Sequence, residues 1–333
     1  PLGLLPSRGQ EPGGTLGQLC VNAGPRRSTR PRAVSITGAV TSGELAIVTA
    51  CNEEFADMAG DLIQSLGDWR VCSHVIDIGL TTESRARLSA LGATVIGAPD
   101  WDPPLAIRDR PGLQAMTLRP RLPEIVDAET IIWIDSDCWV QDTSVLTTLH
   151  SYSRAHPTLF FASHTKDAEY AMCRNRYEYA RYQFGYARIH RCLFGWREAL
   201  RLWYRPIIAS GVLSAGRDAP AWSAWQGAVD RIYAHRLTAS SNAGLLQLGE
   251  QQALNSVLHR SGAYRLLPAE FNWMCHASDL TRTLSGVKSP TSGRRPMVVH
   301  LAVSRENASR YEEARLRYES PRSTGHDARA HVI

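Results

Sequence analysis

The chain has 333 residues, of which 44% are hydrophobic and 21% charged, and its formal net charge at pH 7 is +5. This composition predicts a packed core in one large α/β domain or two small ones and excludes a wholly disordered chain. No apolar run reaches the ~20 residues that span a bilayer, and we recognise no signal peptide. We therefore expect a cytoplasmic protein, with peripheral contact to the inner face of the membrane as an alternative.

The basic residues and the cysteines narrow the classes of partner. The arginines are dispersed and form no basic run interleaved with aromatic residues, so we expect no nucleic-acid partner. Positive charge is still consistent with an anionic substrate. The seven cysteines are odd in number and widely spaced, and they form no CxxC pair. That pattern argues against a zinc site or a disulfide framework and fits a reducing compartment.

The first half of the chain alternates predicted strands and helices. Residues 1–43 are rich in Gly, Pro, Ser and Arg and predict a disordered or loosely attached leader. The β-α-β-α-β order that follows is typical of a parallel, doubly wound sheet. The predicted strands are 45–50, 71–80, 93–96 and 131–134, and the predicted helices are 55–66, 83–91 and 113–126.

The second half begins with a predicted strand at 159–163 and continues with a segment, 167–205, that is dense in Tyr, Arg and Trp. This segment looks helical throughout, and its tyrosines either hold an acceptor or form a helix core beside a solvated arginine face. The remaining predicted elements are strands 207–215, 264–268 and 296–301 and helices 222–233, 250–260 and 305–318. We predict one domain over 44–310, with 167–205 as a helical acceptor-side insertion and 311–333 as a C-terminal helix and tail.

The apolar run 131–134 leads directly into Asp135, Ser136 and Asp137. Such a run predicts a buried strand in the middle of a mainly parallel sheet, and ligands bind outside the carboxyl ends of such strands. Alternation places both carboxylates on one side of the chain, where they suit Mg²⁺ or Mn²⁺ completed by substrate phosphates. The sequence therefore predicts a site for a metal-chelated phosphate compound, with a solvated strand-end turn as the alternative.

Several motifs occur in an order that belongs to a known family. They are IVTACNEEF at 47–55, DSD at 135–137, ASGVL at 209–213, EQQALN at 250–255, LPAEFN at 267–272 and VH at 299–300. From about residue 45 to residue 303 the chain thus resembles a GT-A-fold glycosyltransferase, most like glycosyltransferase family 8 and its relatives. The resemblance implies an α/β, Rossmann-like mixed sheet, mainly parallel and flanked by helices. It also implies transfer of a sugar from a nucleotide-diphosphate donor, with UDP-sugar favoured, and retention of configuration.

The resemblance assigns roles to particular residues. Asp135, Asp137 and His300 match its ligands for Mn²⁺ or Mg²⁺, although His300 is equally well explained as a core histidine. The implied contacts to the nucleotide and its sugar come from Thr49, Ala50, Asn52, Asp135, Ser136 and Gly211. Asn52 has a second interpretation, as the cap of the helix that begins near residue 55.

Three further residues match the family's catalytic positions. Arg119 lies where a basic residue contacts the donor diphosphate, with Arg121 as the rival and a solvated helix start as the alternative. Gln251 matches the amide whose carbonyl oxygen faces the anomeric carbon. Glu250 matches the acid that contacts the acceptor or sugar hydroxyls, or it simply favours a helix N-terminus. The implied acceptor is a glycan, a lipid-linked intermediate or a natural product.

The chain also departs from the family pattern. Ala209 stands where the family has Asn, Val303 replaces a Gly, and no Lys-Pro-Trp follows, although Arg305 could replace the lysine. Three other functions compete with the family assignment. They are a haloacid-dehalogenase-type phosphatase, a sugar nucleotidyltransferase and a catalytically inactive GT-A domain that serves as a binding module.

Overall fold

The computed structural model describes residues 41, 43–99, 102–170, 173, 175–238, 240–278, 280–283 and 286–302. Nearly all of the predicted leader, the predicted helix at 305–318 and the tail lie outside this range. So do Val303 and Arg305. In the part of the chain that the structure covers, no helix is both long enough and apolar enough to cross a bilayer.

The elements follow the order that the sequence predicts, with an additional helix at 144–155 and additional short strands. The strands are β1 (Leu45–Cys51), β2 (Ser73–Asp77), β3 (Thr94–Gly97), β4 (Thr130–Ile134), β5 (Cys138–Val140), β6 (Phe160–His164), β7 (Ile208–Gly216), β8 (Tyr264–Leu267), β9 (Trp273–Met274), β10 (Thr281–Thr283), β11 (Gly286–Lys288) and β12 (Val298–His300). The helices are α1 (Ala56–Ser65), α2 (Thr82–Ala90), α3 (Pro111–Leu118), α4 (Leu122–Ile125), α5 (Ser144–Ala155), α6 (Arg176–Phe194), α7 (Trp196–Leu202), α8 (Ala221–His235) and α9 (Ala243–Ser261).

Within the described residues the main sheet has seven strands in the order β3-β2-β1-β4-β7-β6-β8. Every neighbouring pair is parallel except the two that involve β7, which runs antiparallel to β4 and β6. The prediction of a mixed, mainly parallel sheet flanked by helices is therefore confirmed. Because β7 is reversed, its first residues lie at the same edge as the carboxyl ends of β1 and β4. There the amide of Asp135 donates to the carbonyl of Gly211 at 2.8 Å.

Apolar side chains cover both faces of the central strand β4, as its uninterrupted hydrophobic run predicts. Trp133 packs into a cluster with residues of α8 and α9, where the rings of Trp222 and Trp225 stack at 5.9 Å. Ile132 and Ile134 face the other way and pack against α5 and α1. The carboxylates that follow this strand are consequently fixed by a rigid, fully buried support.

A second sheet of three strands, in the order β5-β12-β9, completes the edge beyond β4. β12 pairs antiparallel with β5, which places His300 opposite Cys138. The amide of Leu301 donates to the carbonyl of Asp137 at 3.0 Å. This pairing carries a histidine from the end of the domain to the Asp-Ser-Asp segment.

Two predicted boundaries are wrong. The segment 167–205 is not helical throughout, because α6 begins only at Arg176. Residues 168–169 form a turn instead, and the Arg294 guanidinium pairs there with Asp167 and Glu169, and also with Glu270. The last long helix begins at Ala243 rather than at residue 250, since the side chain of Asn242 caps it by accepting from the Gly244 amide at 2.8 Å. Glu250 is therefore in mid-helix, and the helix dipole does not explain it.

We expect Gly216→Ala to destabilise the fold, because β7 passes directly against the backbone near Pro157. A Cβ atom at position 216 would lie 2.9 Å from the Pro157 Cα, and backbone atoms cannot move aside as a flexible side chain does. The expected loss in the free energy of unfolding is about 1–3 kcal/mol, measured by urea denaturation.

Gly185→Ala in α6 is the matched control, because a Cβ atom there would meet nothing within 4 Å. Its helical position favours alanine, so the expected change is a gain of up to ~1 kcal/mol. Equal losses in the two variants would contradict the close approach of β7 to Pro157.

Candidate active site

The two carboxylates after β4 face one imidazole. His300 Nε2 lies 3.7 Å from Asp135 Oδ2 and 3.3 Å from Asp137 Oδ1. Its other nitrogen, Nδ1, is 2.9 Å from the side-chain oxygen of Asn272, which can only accept a hydrogen bond. Nδ1 therefore carries a proton, and Nε2 is directed towards the carboxylates. The structure brings together the three residues that the resemblance assigns to a metal.

These atoms fit the metal that the fold family implies. Two carboxylate oxygens and one imidazole nitrogen form a donor set suited to Mn²⁺. Adjacent ligands at ~2.1 Å from an octahedral ion lie about 3 Å apart. The separations of Asp137 and Asp135 from His300 Nε2, 3.3 and 3.7 Å, are close to that spacing. Asp135 does not belong to the described group of ligand atoms that lie within 4.8 Å of one another, so it must move towards Asp137 for Asp135, Asp137 and His300 to hold one divalent cation.

Cys138 is a neighbour of this cluster that sequence reasoning missed. Its sulfur and potential ligand atoms of Asp137 and His300 all lie within 4.8 Å of one another. Burial, with the nearby Asp137 and Asp135 carboxylates, raises the pKa of the Cys138 thiol well above its ordinary value. Because the thiolate is the form that binds metals, the oxygen and imidazole donors are the better ligands. The sequence signal that could have identified Cys138 is its position directly after Asp137.

Burial and the neighbouring carboxylates determine the electrostatics of the cluster. Burial raises the pKa of Asp135 despite the opposing effect of Arg119. Burial alone lowers the pKa of His300, but the Asp137 and Asp135 carboxylates outweigh it, so the pKa of His300 is raised. Both shifts have the same meaning, namely that this buried site favours an additional positive charge, either a proton or a metal cation.

Arg119 is a buried bridge between Asp135 and Glu250. Its guanidinium forms an ion pair with Asp135 Oδ1, donates to Glu250 Oε2 at 3.1 Å and donates to Ser210 Oγ at 2.7 Å. It lies 5.1 Å from the ring centroid of Trp133, whose indole nitrogen also donates to Asp135 Oδ1 at 2.7 Å. Of the two candidate arginines, Arg119 is the one placed at the site.

Arg121 occupies a different environment. Its guanidinium pairs with Asp230 on α8 at 3.3 Å and with Glu124 on α4 at 3.7 Å. These partners belong to the helical layer outside the sheet. The alternative that Arg119 is a solvated helix-start residue is wrong, because its side chain is buried.

Glu250 is almost completely buried, and burial is the main reason that its pKa rises to about 7. Arg119 lowers the pKa of Glu250, whereas the carboxylate of Asp135, which shares the same guanidinium, raises it. The indole of Trp225 donates to the Glu250 carbonyl at 3.1 Å and fixes this turn of α9. Gln251 follows it on the helix and is half-buried.

Gly211 allows the histidine to approach the carboxylates. A Cβ atom at position 211 would lie 2.5 Å from His300 Cε1 and 3.0 Å from Asp135 Oδ2. Any side chain there would displace the imidazole. Ser136, between the two aspartates, is half-buried, and the side chain of Ala50 lies in the hydrophobic core.

Several buried polar atoms near the site have no hydrogen-bond partner among the described residues. They are Thr49 Oγ1, Asn52 Oδ1, Glu250 Oε1 and Asn272 Nδ2. Asn52 is at the position that precedes a helical turn, but its side chain makes no capping hydrogen bond, so capping does not explain it. Each unpaired buried group costs ~1–3 kcal/mol. Thr49 and Asn52 lie at the carboxyl end of β1, and their unpartnered atoms are typical of a site whose ligand supplies the partners.

Comparisons with known proteins identify the fold. No known family model matches the sequence, and neither does any curated protein. An active-site mutant of LgtC is 18% identical, with a TM-score of 0.50 over 80% of this chain and 94% of that chain. Galactosyltransferase LgtC in complex with donor and acceptor sugar analogs gives 17% identity and a TM-score of 0.48 over 83% and 96% of the two chains.

The bifunctional glycosyltransferase WbbM, in its apo form, is also similar, at 13% identity and a TM-score of 0.49 over 80% of this chain. This chain spans about half of WbbM, with 47% of that protein covered. The match to LgtC at a TM-score of 0.50, together with the sheet described above, shows the GT-A fold of glycosyltransferases, as the resemblance in the sequence implies. Membership of family 8 stays a prediction.

We expect Glu250→Gln to change how stability depends on pH. With a pKa of about 7 instead of the ordinary 4.5, the folded protein binds a proton to Glu250 at a higher pH than the unfolded chain does. The contribution of this proton to stability is therefore complete below pH 4.5 and is lost as the pH rises through about 7. Glutamine does not titrate. Relative to the variant, the wild type should gain up to about 3 kcal/mol as the pH falls through this range.

Urea denaturation of both proteins at a series of pH values measures this difference. Glu129→Gln, at an exposed position, controls for the removal of one negative charge. A difference between wild type and Glu250→Gln that does not vary with pH would show that the pKa of Glu250 is not raised.

Proposed function

We propose that this chain is a glycosyltransferase that moves a sugar from a nucleotide-diphosphate donor, preferentially a UDP-sugar, to an acceptor hydroxyl with Mn²⁺ or Mg²⁺. One observation carries the proposal: Asp135, Asp137 and His300 converge at the carboxyl edge of a GT-A sheet. The fold supplies the frame on which such a site is built, and the donor set supplies the chemistry.

In this proposal Asp135, Asp137 and His300 hold the cation. When bound, a divalent cation stabilises the negative charge that develops on a leaving diphosphate. Asn272 orients the imidazole through its contact with Nδ1, and Arg119 and Trp133 fix one oxygen of Asp135. The other oxygen of Asp135 is left to face His300.

The nucleotide is assigned to the loop after β1. Thr49 and Asn52 contribute polar atoms that have no partner in the described part of the chain, and a nucleoside offers the matching donors and acceptors. The proposal also assigns Ser136, which is half-buried between the two aspartates, to the donor. Ala50, whose side chain lies in the core, and Gly211, whose open side is occupied by His300, are left with backbone contacts to the donor.

Catalytic roles follow the burial of each side chain. Gln251 is the half-buried residue that we assign to the face of the anomeric carbon, where its carbonyl oxygen stabilises positive charge in a retaining reaction. Glu250 is too deeply buried to meet an acceptor, so we assign it the positioning of Arg119. Arg119 in turn supplies positive charge to the diphosphate side of the site.

The competing functions have less support. In the dehalogenase-type phosphatases the Asp-x-Asp motif normally follows the first strand, whereas here it follows β4, beside an antiparallel strand. A nucleotidyltransferase needs a basic, glycine-rich loop after β1, and this chain has Asn52 followed by two glutamates. An inactive GT-A domain would bind the donor as an active enzyme does but would not transfer its sugar. The following experiment therefore also measures release of the sugar.

The donor is identified by a thermal-shift series with UDP- and GDP-sugars, each with Mn²⁺ and with a chelator. A donor that binds only the folded state stabilises it by about 2.7 kcal/mol at a hundredfold excess over its dissociation constant. We expect a shift that requires the metal and disappears in Asp137→Asn. Mass spectrometry of the same mixtures, with water or an added acceptor, measures release of the sugar.

Asp218→Asn is the matched control. This exposed aspartate follows β7, at the opposite edge of the sheet, and should retain the full shift. If no nucleotide sugar shifts the folded wild type, the proposed function is wrong. A metal-dependent shift without sugar release, tested with glycan, lipid-linked and natural-product acceptors, would favour the inactive binding module.

Asn272→Ala should weaken Mn²⁺ binding about 10–100-fold, because residues that orient a ligating histidine contribute that much to metal affinity. Asn272→Asp keeps an acceptor oxygen beside Nδ1 and replaces the NH₂ group by a second carboxylate oxygen, so it should retain or strengthen the affinity, because a carboxylate is a common partner of a ligating histidine. Electron paramagnetic resonance of free Mn²⁺ measures both constants. Equal affinities in wild type and Asn272→Ala would contradict this role of Asn272.

A further inference from the structure

The hairpin of α6 and α7 has an outer face on which arginines and aromatic residues alternate. Along α6 the exposed positions recur every three or four residues, as one stripe of a helix does. The opposite side of α6 packs on α9, where His190 Nε2 and Gln252 Oε1 are 2.6 Å apart. We define the Arg–aromatic face as Tyr177, Arg181, Phe184, Arg188, Arg191, Trp196, Leu200, Trp203 and Tyr204.

This face holds most of the large apolar side chains that the protein exposes. Of the ten such residues in the described part of the chain, six belong to it, and they are 36% to 78% exposed. Three of the rings are neighbours, since Phe184 and Trp203 have centroids 6.2 Å apart and Trp203 and Tyr204 have centroids 5.5 Å apart. A concentration of exposed apolar side chains on one face is typical of an interaction surface.

The backbone supports the same interpretation. Tyr204 has φ +61°, a left-handed conformation that is uncommon for a bulky residue. A strained conformation of this kind persists where the surroundings require it and is found at ligand-binding positions. Here it keeps an aromatic ring at the exposed end of the hairpin.

The charge of the hairpin is strongly one-sided. Six arginines between residues 176 and 205 are exposed, whereas Glu178 is the one exposed acidic residue there, Glu198 being buried. The guanidinium of Arg191 lies 4.9 Å from the ring centroid of Trp196, so basic and aromatic groups are directly adjacent. A complementary partner must have a region that accommodates aromatic rings and must also carry many negative charges.

We propose that the Arg–aromatic face binds the surface of a membrane that contains anionic lipid. Tryptophan and tyrosine rings prefer the headgroup region of a bilayer, and Phe184 and Leu200 can enter the acyl boundary beneath it. The arginines bind lipid phosphates at the same depth. A single-stranded nucleic acid would use the rings and arginines but would gain little from the aliphatic Leu200. This binding does not depend on the proposed glycosyl transfer.

Flotation of the full chain with vesicles tests the proposal. We expect binding to vesicles of phosphatidylglycerol and phosphatidylcholine, weak binding to phosphatidylcholine alone, and loss of binding at high salt. Replacing Arg181 and Arg188 by Glu together should lower the partition coefficient by at least tenfold. Phe184→Ser with Leu200→Ser should lower it by a similar factor without changing the charge.

Matched controls separate this face from a general effect of charge or hydrophobicity. Arg236→Glu with Arg265→Glu makes the same charge change at exposed positions elsewhere, and Val71→Ser with Leu105→Ser removes equally exposed apolar groups. Both controls should bind vesicles like the wild type, and circular dichroism verifies that every variant is folded. Three results would overturn the proposal: no binding of folded wild type to anionic vesicles, equal losses in test and control pairs, or binding to a single-stranded oligonucleotide without binding to vesicles.

Discussion

One buried guanidinium organises the site. Arg119 contacts Asp135 and Glu250 together, in an environment where an unpaired charge would be very costly. Burial is the main reason that the pKa of Glu250 is raised, and at His300 the Asp137 and Asp135 carboxylates outweigh burial and raise the pKa. The folded protein therefore retains protons that would otherwise dissociate. A divalent cation at the carboxylates would supply positive charge in place of those protons.

The geometry of the site is a consequence of strand direction. In a wholly parallel sheet, the strand beside β4 would bring its last residues to this edge. Because β7 is antiparallel, its early residues Ser210 and Gly211 are there instead, one to bind Arg119 and the other to make space for His300. The small sheet then supplies the histidine. Backbone pairing thus brings three segments that are distant in sequence to one edge of the sheet.

Local patterns revealed the parts of this site that follow directly from a strand or a motif. The Asp-Ser-Asp segment could be predicted because it ends a run of buried apolar residues, and the mixed fold because its elements alternate. The partners of His300 could not be predicted. The pairing of β12 with β5 joins His300 to Cys138, more than a hundred positions away, and the pairing of β12 with β9 brings His300 beside the segment that contains Asn272. No local periodicity carries that information. The start of α9 was missed for a different reason, because a polar cap rather than the spacing of apolar residues defines it.

The hairpin of α6 and α7 shows the same limit of periodicity in another form. Its density of tyrosine, tryptophan and arginine indicated either an acceptor site or a helix core beside a charged face. In the structure, the inward side is made largely of small and polar residues such as Gln183, Ala187 and His190, while Phe184, Trp196 and Leu200 are outside. Aromatic spacing alone cannot distinguish these two orientations, because a helix has the same period on both sides. What distinguishes them is the packing partner, and α9 satisfies the polar side through Gln252.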